Sequence, residues 1–262
     1  MRPKLGQHFL ASERYCRRIV DSLRLGDTEL IVEIGPGRGA LTEILRQRGY
    51  RLVAIELDKS LAALLQQTFR GDPRIDIIHG DILVSDLSEI CRSHGAENCH
   101  VIGNLPYYIT SPIIERLRGF RNSISAMGLL VQREVAERIV AAPGMRDYGY
   151  LSVSIQVFAQ PRVLFTIPPG AFSPPPKVQS ALVEFSIRPR FPEMSAAEEE
   201  KFLSFVKICF AQKRKNLLNN LAAIAPRFRV GEELERLQIP TNSRAEQMGL
   251  DDFARLSRAL GN

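Results

Sequence analysis

The chain has 262 residues, of which 45% are hydrophobic and 24% charged, so it is long enough for one large and one small domain with an ample core. It contains no apolar run of about 18 residues, which argues against a membrane-spanning helix. The absence of a Cys-x-x-Cys pair argues against a metal site and favours reduced thiols. The formal charge of +6 suggests a polyanionic partner without proving one.

The first 29 residues are predicted to form a basic arm and a helix. They carry four arginines between residues 14 and 24, which are Arg14, Arg17, Arg18 and Arg24. Residues 1–6 lack the apolar segment of a secretory signal, so we expect the protein to be cytoplasmic.

Strands and helices are predicted to alternate between residues 30 and 132. Residues 30–34 and 51–55 are short apolar runs rich in β-branched side chains, which is typical of buried parallel strands. A helix begins at Ala40, between these two strands. The alternation predicts an α/β fold with a doubly wound parallel sheet.

A glycine-rich loop follows the first of these strands. Gly35, Gly37 and Gly39 allow the backbone to turn tightly and to approach a ligand closely. Glu56 ends the next strand, 21 residues after Gly35, where a carboxylate can accept hydrogen bonds from both ribose hydroxyls of a nucleoside. Taken alone, this pattern does not separate NAD from S-adenosylmethionine.

Two acidic residues favour S-adenosylmethionine. Glu33 lies two residues before Gly35, and its charge suits a ligand with an ammonium and a sulfonium but repels a pyrophosphate. Asp81 follows a predicted strand at residues 75–79, where it can accept a hydrogen bond from the amine of a bound adenine. Considered alone, Asp81 is better explained as a turn residue or a helix N-cap.

The segment Asn104-Leu105-Pro106-Tyr107 follows the apolar strand predicted at residues 99–102. Asn104 offers an amide oxygen, Pro106 holds the carbonyls before it in one direction, and Tyr107 offers a flat face for a base. Acceptors on the two N–H bonds of an adenine amine would direct its lone pair toward an electrophile. A strand-to-helix turn that ends on a proline explains the same four residues equally well.

The later elements are predicted from periodicity and from proline and glycine positions. They are a strand at 124–131, a helix at 132–142, a helix rather than a strand at 151–159, and an antiparallel edge hairpin formed by strands at 162–167 and 178–187. A proline-containing linker at 188–194 precedes Ser195, a predicted N-cap, and the chain beyond it is helical. We therefore expect one domain at residues 1–190 and a helical domain at residues 191–262.

Residues 207–229 carry several basic side chains and no acidic ones. The basic residues are Lys207, Lys213, Arg214, Lys215, Arg227 and Arg229. A charge run of this kind is usually a solvated helical face. The absence of compensating carboxylates favours contact with phosphates instead.

The ordered series of motifs resembles the family of small-subunit ribosomal RNA adenine dimethyltransferases. The segments that carry the resemblance are 7–10, 33–39, Glu56, 80–82, 104–107, 172–178, 210–218 and 244–250, and they extend over nearly the whole chain. Each motif is weak alone, but the complete series is specific. His8 stands where many members of the family carry asparagine, and since both side chains donate a hydrogen bond we expect the cofactor contact to survive.

The resemblance implies a Rossmann-like S-adenosylmethionine-dependent methyltransferase sheet followed by a small all-helical domain. The implied reaction methylates the N6 amines of two adjacent adenosines in a hairpin near the 3′ end of small-subunit rRNA, giving N6,N6-dimethyladenosine. The implied partner is the rRNA of an assembling subunit, and the enzyme is expected to act as a monomer without a metal.

The same resemblance assigns roles to individual residues. The cofactor residues are His8, Leu10, Glu33, Gly35, Gly37, Glu56, Asp81, Ile82 and Asn104. The catalytic residues are Asn104, Leu105, Pro106, Tyr107 and Phe172. The charge pattern, and not the resemblance, assigns the RNA contacts to Lys213, Arg214, Lys215, Arg227 and Arg229.

Phe172 lies in the proline-rich segment 168–176, a rigid loop between two strands. The resemblance places its ring opposite Tyr107, so that a flipped adenine would stack between two aromatic faces. Without the family, a phenylalanine among prolines is better explained as an anchor that packs the loop onto the core.

Three other functions remain open. A large-subunit rRNA methyltransferase of the antibiotic-resistance type carries a turn similar to that at 104–107, but the C-terminal motifs argue against it. A non-catalytic nucleic-acid-binding relative is disfavoured by the intact glycines and by Glu56, Asp81 and Asn104. A nicotinamide-dependent oxidoreductase lacks a catalytic constellation in this chain.

Overall fold

The computed structural model describes residues 8–23, 25–26 and 30–261. The expectations for residues 1–7 and for Arg24 therefore lie outside the described residues. The strands that the described residues form are β1 (Phe9–Leu10), β2 (Ile31–Ile34), β3 (Leu52–Glu56), β4 (Ile75–His79), β5 (Cys99–Asn104), β6 (Ile124–Gln132), β7 (Ala159–Ile167), β8 (Phe172–Ser173) and β9 (Ser180–Ile187).

The helices alternate with the strands in the first half of the chain and dominate its last third. They are α1 (Glu13–Ser22), α2 (Ala40–Gln47), α3 (Lys59–Thr68), α4 (Leu87–Ser93), α5 (Thr110–Arg118), α6 (Arg133–Val140), α7 (Tyr150–Gln156), α8 (Ala196–Cys209), α9 (Leu217–Asn220), α10 (Arg227–Arg236) and α11 (Leu250–Leu260). Among the described residues, no helix is both long and apolar enough to span a membrane.

The larger sheet has the strand order β4-β3-β2-β5-β6-β9-β7. Strands β2 to β6 run parallel, whereas β9 pairs antiparallel with β6, and β7 lies beside β9 at the edge. The α/β fold with a parallel sheet is thereby confirmed, as are the helix near residues 151–159 and the two late strands at the edge. β2 and β3 are buried along their whole length, because helices cover both faces of a sheet of this kind.

The register of the parallel strands brings the predicted motifs to one edge. Ile34 pairs with Ile55 of β3 and with Gly103 of β5, and Glu56 pairs with His79 of β4. The glycine loop, Glu56 and Asn104 therefore leave neighbouring strands at their carboxyl ends, where ligands bind in open α/β sheets.

A second, two-stranded sheet was not predicted from the sequence. β1 pairs antiparallel with β8, with Phe9 opposite Ser173 and Leu10 opposite Phe172. The backbone amide of Ala11 donates to the Ala171 carbonyl across 2.9 Å and continues this pairing. The pairing joins the start of the described chain to the proline-rich segment.

The chain divides into two compact units. The first, called here the sheet unit, comprises residues 1–136 and 160–188, and the second, the helical unit, comprises residues 137–159 and 189–262. The expected division after residue 190 therefore differs from the structure over residues 137–159. In the helical unit the buried Tyr148 donates to the Met248 carbonyl across 2.9 Å, a long-range contact that a boundary drawn from linker composition does not reveal.

Helix α8 of the helical unit begins where a cap was predicted. Ser195 Oγ accepts a hydrogen bond from the Glu198 amide, and the Glu198 carboxylate accepts one from the Ser195 amide. This reciprocal capping satisfies backbone donors at the start of α8. Behind it, Phe202, Phe205 and Phe253 are buried and form part of the core of this unit.

Candidate active site

A cavity opens at the carboxyl edge of the parallel strands in the sheet unit. Its lining comes from the ends of β2, β3, β4 and β5 and from the residues beside β1. The lining residues are His8, Phe9, Ile34, Gly35, Gly37, Ile55, Glu56, Leu57, Gly80, Asp81, Ile82, Asn104, Leu105, Pro106, Tyr107, Tyr108, Ile109 and Ile113. Most of the residues that the sequence assigned to the cofactor and to catalysis therefore meet in one place.

The glycine loop forms one wall of this cavity. Gly35 and Gly37 have φ values of 66° and 59°, a left-handed backbone that favours glycine. A Cβ atom on Gly37 would lie 2.6 Å from Cδ1 of Phe9. The absence of side chains here lets the backbone itself face the cavity, as a nucleoside cofactor requires.

Glu56 lies at the end of β3 and is 3% exposed. Its carboxylate accepts hydrogen bonds from the Gly37 and Asp58 amides, each across 2.9 Å. Burial raises the pKa of Glu56, and these backbone hydrogen bonds oppose the rise. A carboxylate has about four acceptor sites, so two remain for ligand hydroxyls after both amides are satisfied.

Asp81 and Ile82 follow β4 and line the cavity together. Asp81 Oδ1 accepts from the Leu83 amide across 2.9 Å, so the residue does form a turn. The two interpretations of Asp81 are therefore compatible, because its side chain closes the turn at a position that borders the cavity. Ile82 is 7% exposed and offers an apolar surface at the same position.

Glu33 does not line the cavity, so its proposed contact with the cofactor stays a prediction. Successive side chains of a strand point to opposite faces, and in β2 it is Ile34 that borders the cavity. Glu33 is 2% exposed, and its carboxylate accepts from Thr42 Oγ1 of α2 across 2.7 Å. Burial, with a smaller effect from the charge of Glu56, raises the pKa of Glu33 to about 7.

We expect Glu33→Gln to change the pH dependence of stability. The folded pKa of about 7 exceeds the ordinary value of 4.5, so the folded protein holds a proton that the unfolded chain releases between these values. This contribution to stability is complete at low pH and is lost as the pH rises through about 7. Glutamine does not titrate, so thermal unfolding should show the variant gaining stability relative to wild type between about pH 5 and pH 8, on the order of 2–3 kcal/mol.

Glu43→Gln provides the matched control, because Arg46 holds the pKa of Glu43 below its ordinary value. That variant should show the opposite and smaller trend with pH. Identical pH profiles for wild type and Glu33→Gln would show that Glu33 titrates in the folded protein as it does in the unfolded chain.

Asn104 ends β5 and is half-buried at the edge of the cavity. Its Nδ2 donates to the His8 carbonyl across 2.9 Å, which leaves the amide oxygen as the acceptor of this side chain. The chain continues through Leu105, whose amide donates to the Leu130 carbonyl of β6 across 3.1 Å. This backbone hydrogen bond fixes the position of the turn on the sheet.

Two contacts hold the side chain of Tyr107, one at its hydroxyl and one on its ring. Its hydroxyl forms a hydrogen bond of 2.8 Å with Ser180 Oγ, and burial raises its pKa. The imidazole of His8 stacks on the ring at a centroid distance of 5.8 Å and an interplanar angle of 28°. His8 Nδ1 in turn donates to the Pro174 carbonyl across 2.8 Å. One face of Tyr107 is thus covered by His8.

Phe172 and Leu10 are not among the residues that line the cavity, so their proposed roles stay predictions. Both belong to one buried cluster, with 4% and 7% of their surface exposed. They lie opposite each other in the β1–β8 pair, and both side chains pack into the core. Phe172 therefore packs as the anchor that the sequence without the family favoured, and its stacking on a base stays a prediction.

Tyr108 is an aromatic residue of the cavity that the sequence did not single out. It borders the cavity and is 59% exposed. Tyr108 directly follows the turn at 104–107, so a search of the residues next to that motif could have identified it.

The predicted RNA-contacting residues lie in the helical unit. Lys213, Arg214 and Lys215 are exposed in the segment after α8, and Lys213 Nζ donates to the Arg146 carbonyl across 2.7 Å. Arg227 and Arg229 are exposed in the first turn of α10. All five are accessible to a polyanion.

The mostly parallel sheet, with a glycine loop after β2, an acid at the end of β3 and an Asn-Leu-Pro-Tyr turn after β5, is the arrangement of a Rossmann-like S-adenosylmethionine-dependent methyltransferase. A family model described as "Ribosomal RNA adenine dimethylase" matches residues 1–261. The chain belongs to this family, and the resemblance that its motifs indicate is confirmed.

Similar sequences are named "Ribosomal RNA small subunit methyltransferase A". The protein of this name from Acidobacterium capsulatum is 44% identical over 260 residues, covering 99% of this chain and 91% of that protein. The one from Geobacter metallireducens is 39% identical, covering 99% and 95%.

Two solved structures are similar over nearly the whole chain. The 23S rRNA methyltransferase ErmE is 26% identical with a TM-score of 0.72, and the match covers 97% of this chain and 100% of that one. A dimethyladenosine transferase from Plasmodium falciparum is 22% identical with a TM-score of 0.79, covering 95% and 96%, and it supports the fold.

Proposed function

We propose that the chain transfers methyl groups from S-adenosylmethionine to the N6 amines of two adjacent adenosines near the 3′ end of small-subunit rRNA, giving N6,N6-dimethyladenosine. Membership of the rRNA adenine dimethylase family supports the reaction. The observation that carries the proposal is the meeting of the glycine loop, Glu56 and the turn at 104–107 in one cavity.

The choice of ribosomal subunit rests on the similar sequences. Relatives that are 39% and 44% identical are named for the small subunit. The 23S rRNA methyltransferase ErmE is only 26% identical, so the small subunit is favoured over 23S rRNA as the substrate.

The cavity fits the cofactor through three kinds of surface. Gly35 and Gly37 expose backbone in a left-handed conformation, Glu56 keeps acceptor sites for two ribose hydroxyls, and Asp81 can accept from an adenine amine beside the apolar Ile82. When bound, S-adenosylmethionine supplies an electrophilic methyl carbon on a sulfonium.

The turn at 104–107 is proposed to position the target amine. The Asn104 amide oxygen and the Leu105 carbonyl accept from the two N–H bonds, which favours the pyramidal nitrogen and directs its lone pair out of the adenine ring. The open face of Tyr107 stacks on the base. Attack of the amine on the methyl carbon would form the nitrogen–carbon bond as the carbon–sulfur bond breaks, with inversion at that carbon. S-adenosylhomocysteine would be the leaving group, and the nitrogen would release one proton to water. Alignment and fixed polar groups supply the catalysis.

The helical unit is proposed to bind the rRNA of an assembling small subunit through its exposed basic residues, and one copy of the enzyme is expected to act in the bacterial cytoplasm. The direct test incubates the protein with labelled S-adenosylmethionine and unmodified small or large ribosomal subunits, and then maps the modified base. Label in two adjacent adenosines of the small subunit is the expected result. Label confined to the large subunit would overturn the proposed substrate, and no label in either would overturn the activity.

We expect Lys213, Arg214 and Lys215, changed together to glutamate, to weaken binding to small subunits and to flatten its salt dependence. Each phosphate contact adds roughly 0.7–0.9 to the slope of log K against log salt, so loss of three should lower the slope by about two. Binding titrations between about 50 and 200 mM salt measure this. Calorimetry should show unchanged affinity for S-adenosylmethionine.

The control changes Arg70, Arg92 and Lys201 to glutamate, three exposed residues outside the basic segment. It alters the net charge by the same amount, so a slope lowered equally in both variants would indicate a general charge effect. An unaltered slope in the first variant would mean that these residues form a solvated face.

A further inference from the structure

Phe228 is exposed in a way that the fold of the helical unit does not explain. It is the second residue of α10 and is 72% exposed, although phenylalanine is a side chain that folding normally buries. Its two chain neighbours, Arg227 and Arg229, are exposed as well. A rigid aromatic ring with a guanidinium on each side therefore projects into solvent.

The orientation of this ring follows from the packing of α10. Val230 and Leu234, one turn apart, are fully buried and hold the helix against the core. Phe228 precedes Val230 by two residues, which is about 200° around an α-helix. The ring is thereby directed away from the core by a well-anchored helix and does not need to be ordered upon binding.

The charge around Phe228 indicates which class of molecule this ring binds. Residues 213–231 contain Lys213, Arg214, Lys215, Arg227 and Arg229 and no acidic residue. The first acid of α10 is Glu232, one turn beyond Phe228, so a polyanion can approach from the amino-terminal side of the ring but not along the helix. A flat apolar face within a cationic segment suits a nucleic acid strand, whose bases stack on aromatic side chains while its phosphates pair with cations.

The size of the apolar surface argues against a protein partner. A stable protein interface buries roughly 800 Å² on each side and has an apolar centre. One phenylalanine ring flanked by two cations offers much less, but it matches the area of one nucleobase.

We propose that Phe228 is a stacking platform for one unpaired base of the substrate rRNA, with Arg227 and Arg229 binding the phosphates beside that base. This inference rests on the proposed function, since it takes rRNA as the substrate. It adds a binding site in the helical unit, separate from the cavity that receives the target adenosine.

The test compares Phe228→Ala, Phe228→Leu and Phe228→Trp in binding to unmodified small subunits and to a protein-free transcript of the small-subunit rRNA. Stacking of a base is worth about 1–3 kcal/mol, so alanine should weaken binding roughly tenfold. Leucine should weaken it nearly as much, because it is apolar but not flat, and tryptophan should restore it. The salt slope should stay as in wild type, since no charge is lost. Thermal unfolding and cofactor affinity should not change, since the ring is exposed.

Two results would overturn the inference. Wild-type affinity of Phe228→Ala would show that the ring makes no contact. A loss of affinity of Phe228→Ala for subunits that is absent for the transcript would show an apolar contact with a protein. Equal affinities of Phe228→Leu and Phe228→Trp would show the same. Failure of the proposed function is distinguishable, because then wild type itself would neither bind small subunits nor methylate them.

Discussion

Replacing Asn104 with alanine is expected to slow methyl transfer by roughly a hundredfold or more, as the loss of one fixed polar group does in other enzymes. The variant loses the amide oxygen that we propose as an acceptor for the target amine. It also loses the Nδ2 donor that holds the His8 carbonyl. Cofactor affinity should change little, because the acceptor side of the cavity faces the substrate. Single-turnover assays with saturating cofactor, with mono- and dimethyladenosine counted by mass spectrometry, measure the effect.

Asn104→Asp separates the two functions of this side chain. Aspartate keeps an oxygen acceptor for the amine but has no N–H to donate to the His8 carbonyl. If the acceptor is what matters, this variant should retain much more activity than alanine. Methyl transfer at the wild-type rate in Asn104→Ala would mean that the turn is structural and that the proposed mechanism is wrong.

Replacing Glu56 with alanine is expected to weaken the binding of S-adenosylmethionine at least tenfold, which corresponds to about 1.4 kcal/mol. Two ribose hydroxyls would lose a charged acceptor. The Gly37 and Asp58 amides would lose their partner as well, so the glycine loop would be less well ordered before the ligand arrives. Calorimetry on the folded variant gives the affinity.

Glu56→Gln should lie between wild type and alanine, because glutamine preserves the shape and one oxygen but not the charge. Glu43→Ala is the control, since Glu43 is a carboxylate of α2 that does not border the cavity. Equal affinities of wild type and folded Glu56→Ala would reject the role of Glu56 in holding the ribose.

The positions of the cavity residues could be predicted where they depend on parallel strands. Gly35, Glu56, Asp81 and Asn104 each follow or end a short apolar run, and the carboxyl ends of such strands meet at one edge. The local sequence therefore sufficed to predict that these four residues lie close together. Their proposed roles in binding and catalysis stay predictions.

The departures have different physical origins. Glu33 was assigned to the cofactor by its charge and its position two residues before Gly35, whereas its buried carboxylate accepts a hydrogen bond from Thr42 of α2. The burial of Leu10 and Phe172 depends on the pairing of β1 with β8, which joins segments far apart in sequence. The contribution of residues 137–159 to the helical unit depends on packing of the same long-range kind.

The hydrogen bonds of the Asn104–Tyr107 turn have a consequence for synthesis of the chain. The glycine loop and Glu56 belong to one contiguous stretch, residues 31–56. Tyr107, by contrast, pairs with Ser180, and His8 pairs with Pro174 across 166 positions of sequence. Closing so long a loop is entropically costly and slow. During translation, the contacts that hold Tyr107 and His8 can therefore form only after residue 180 has emerged.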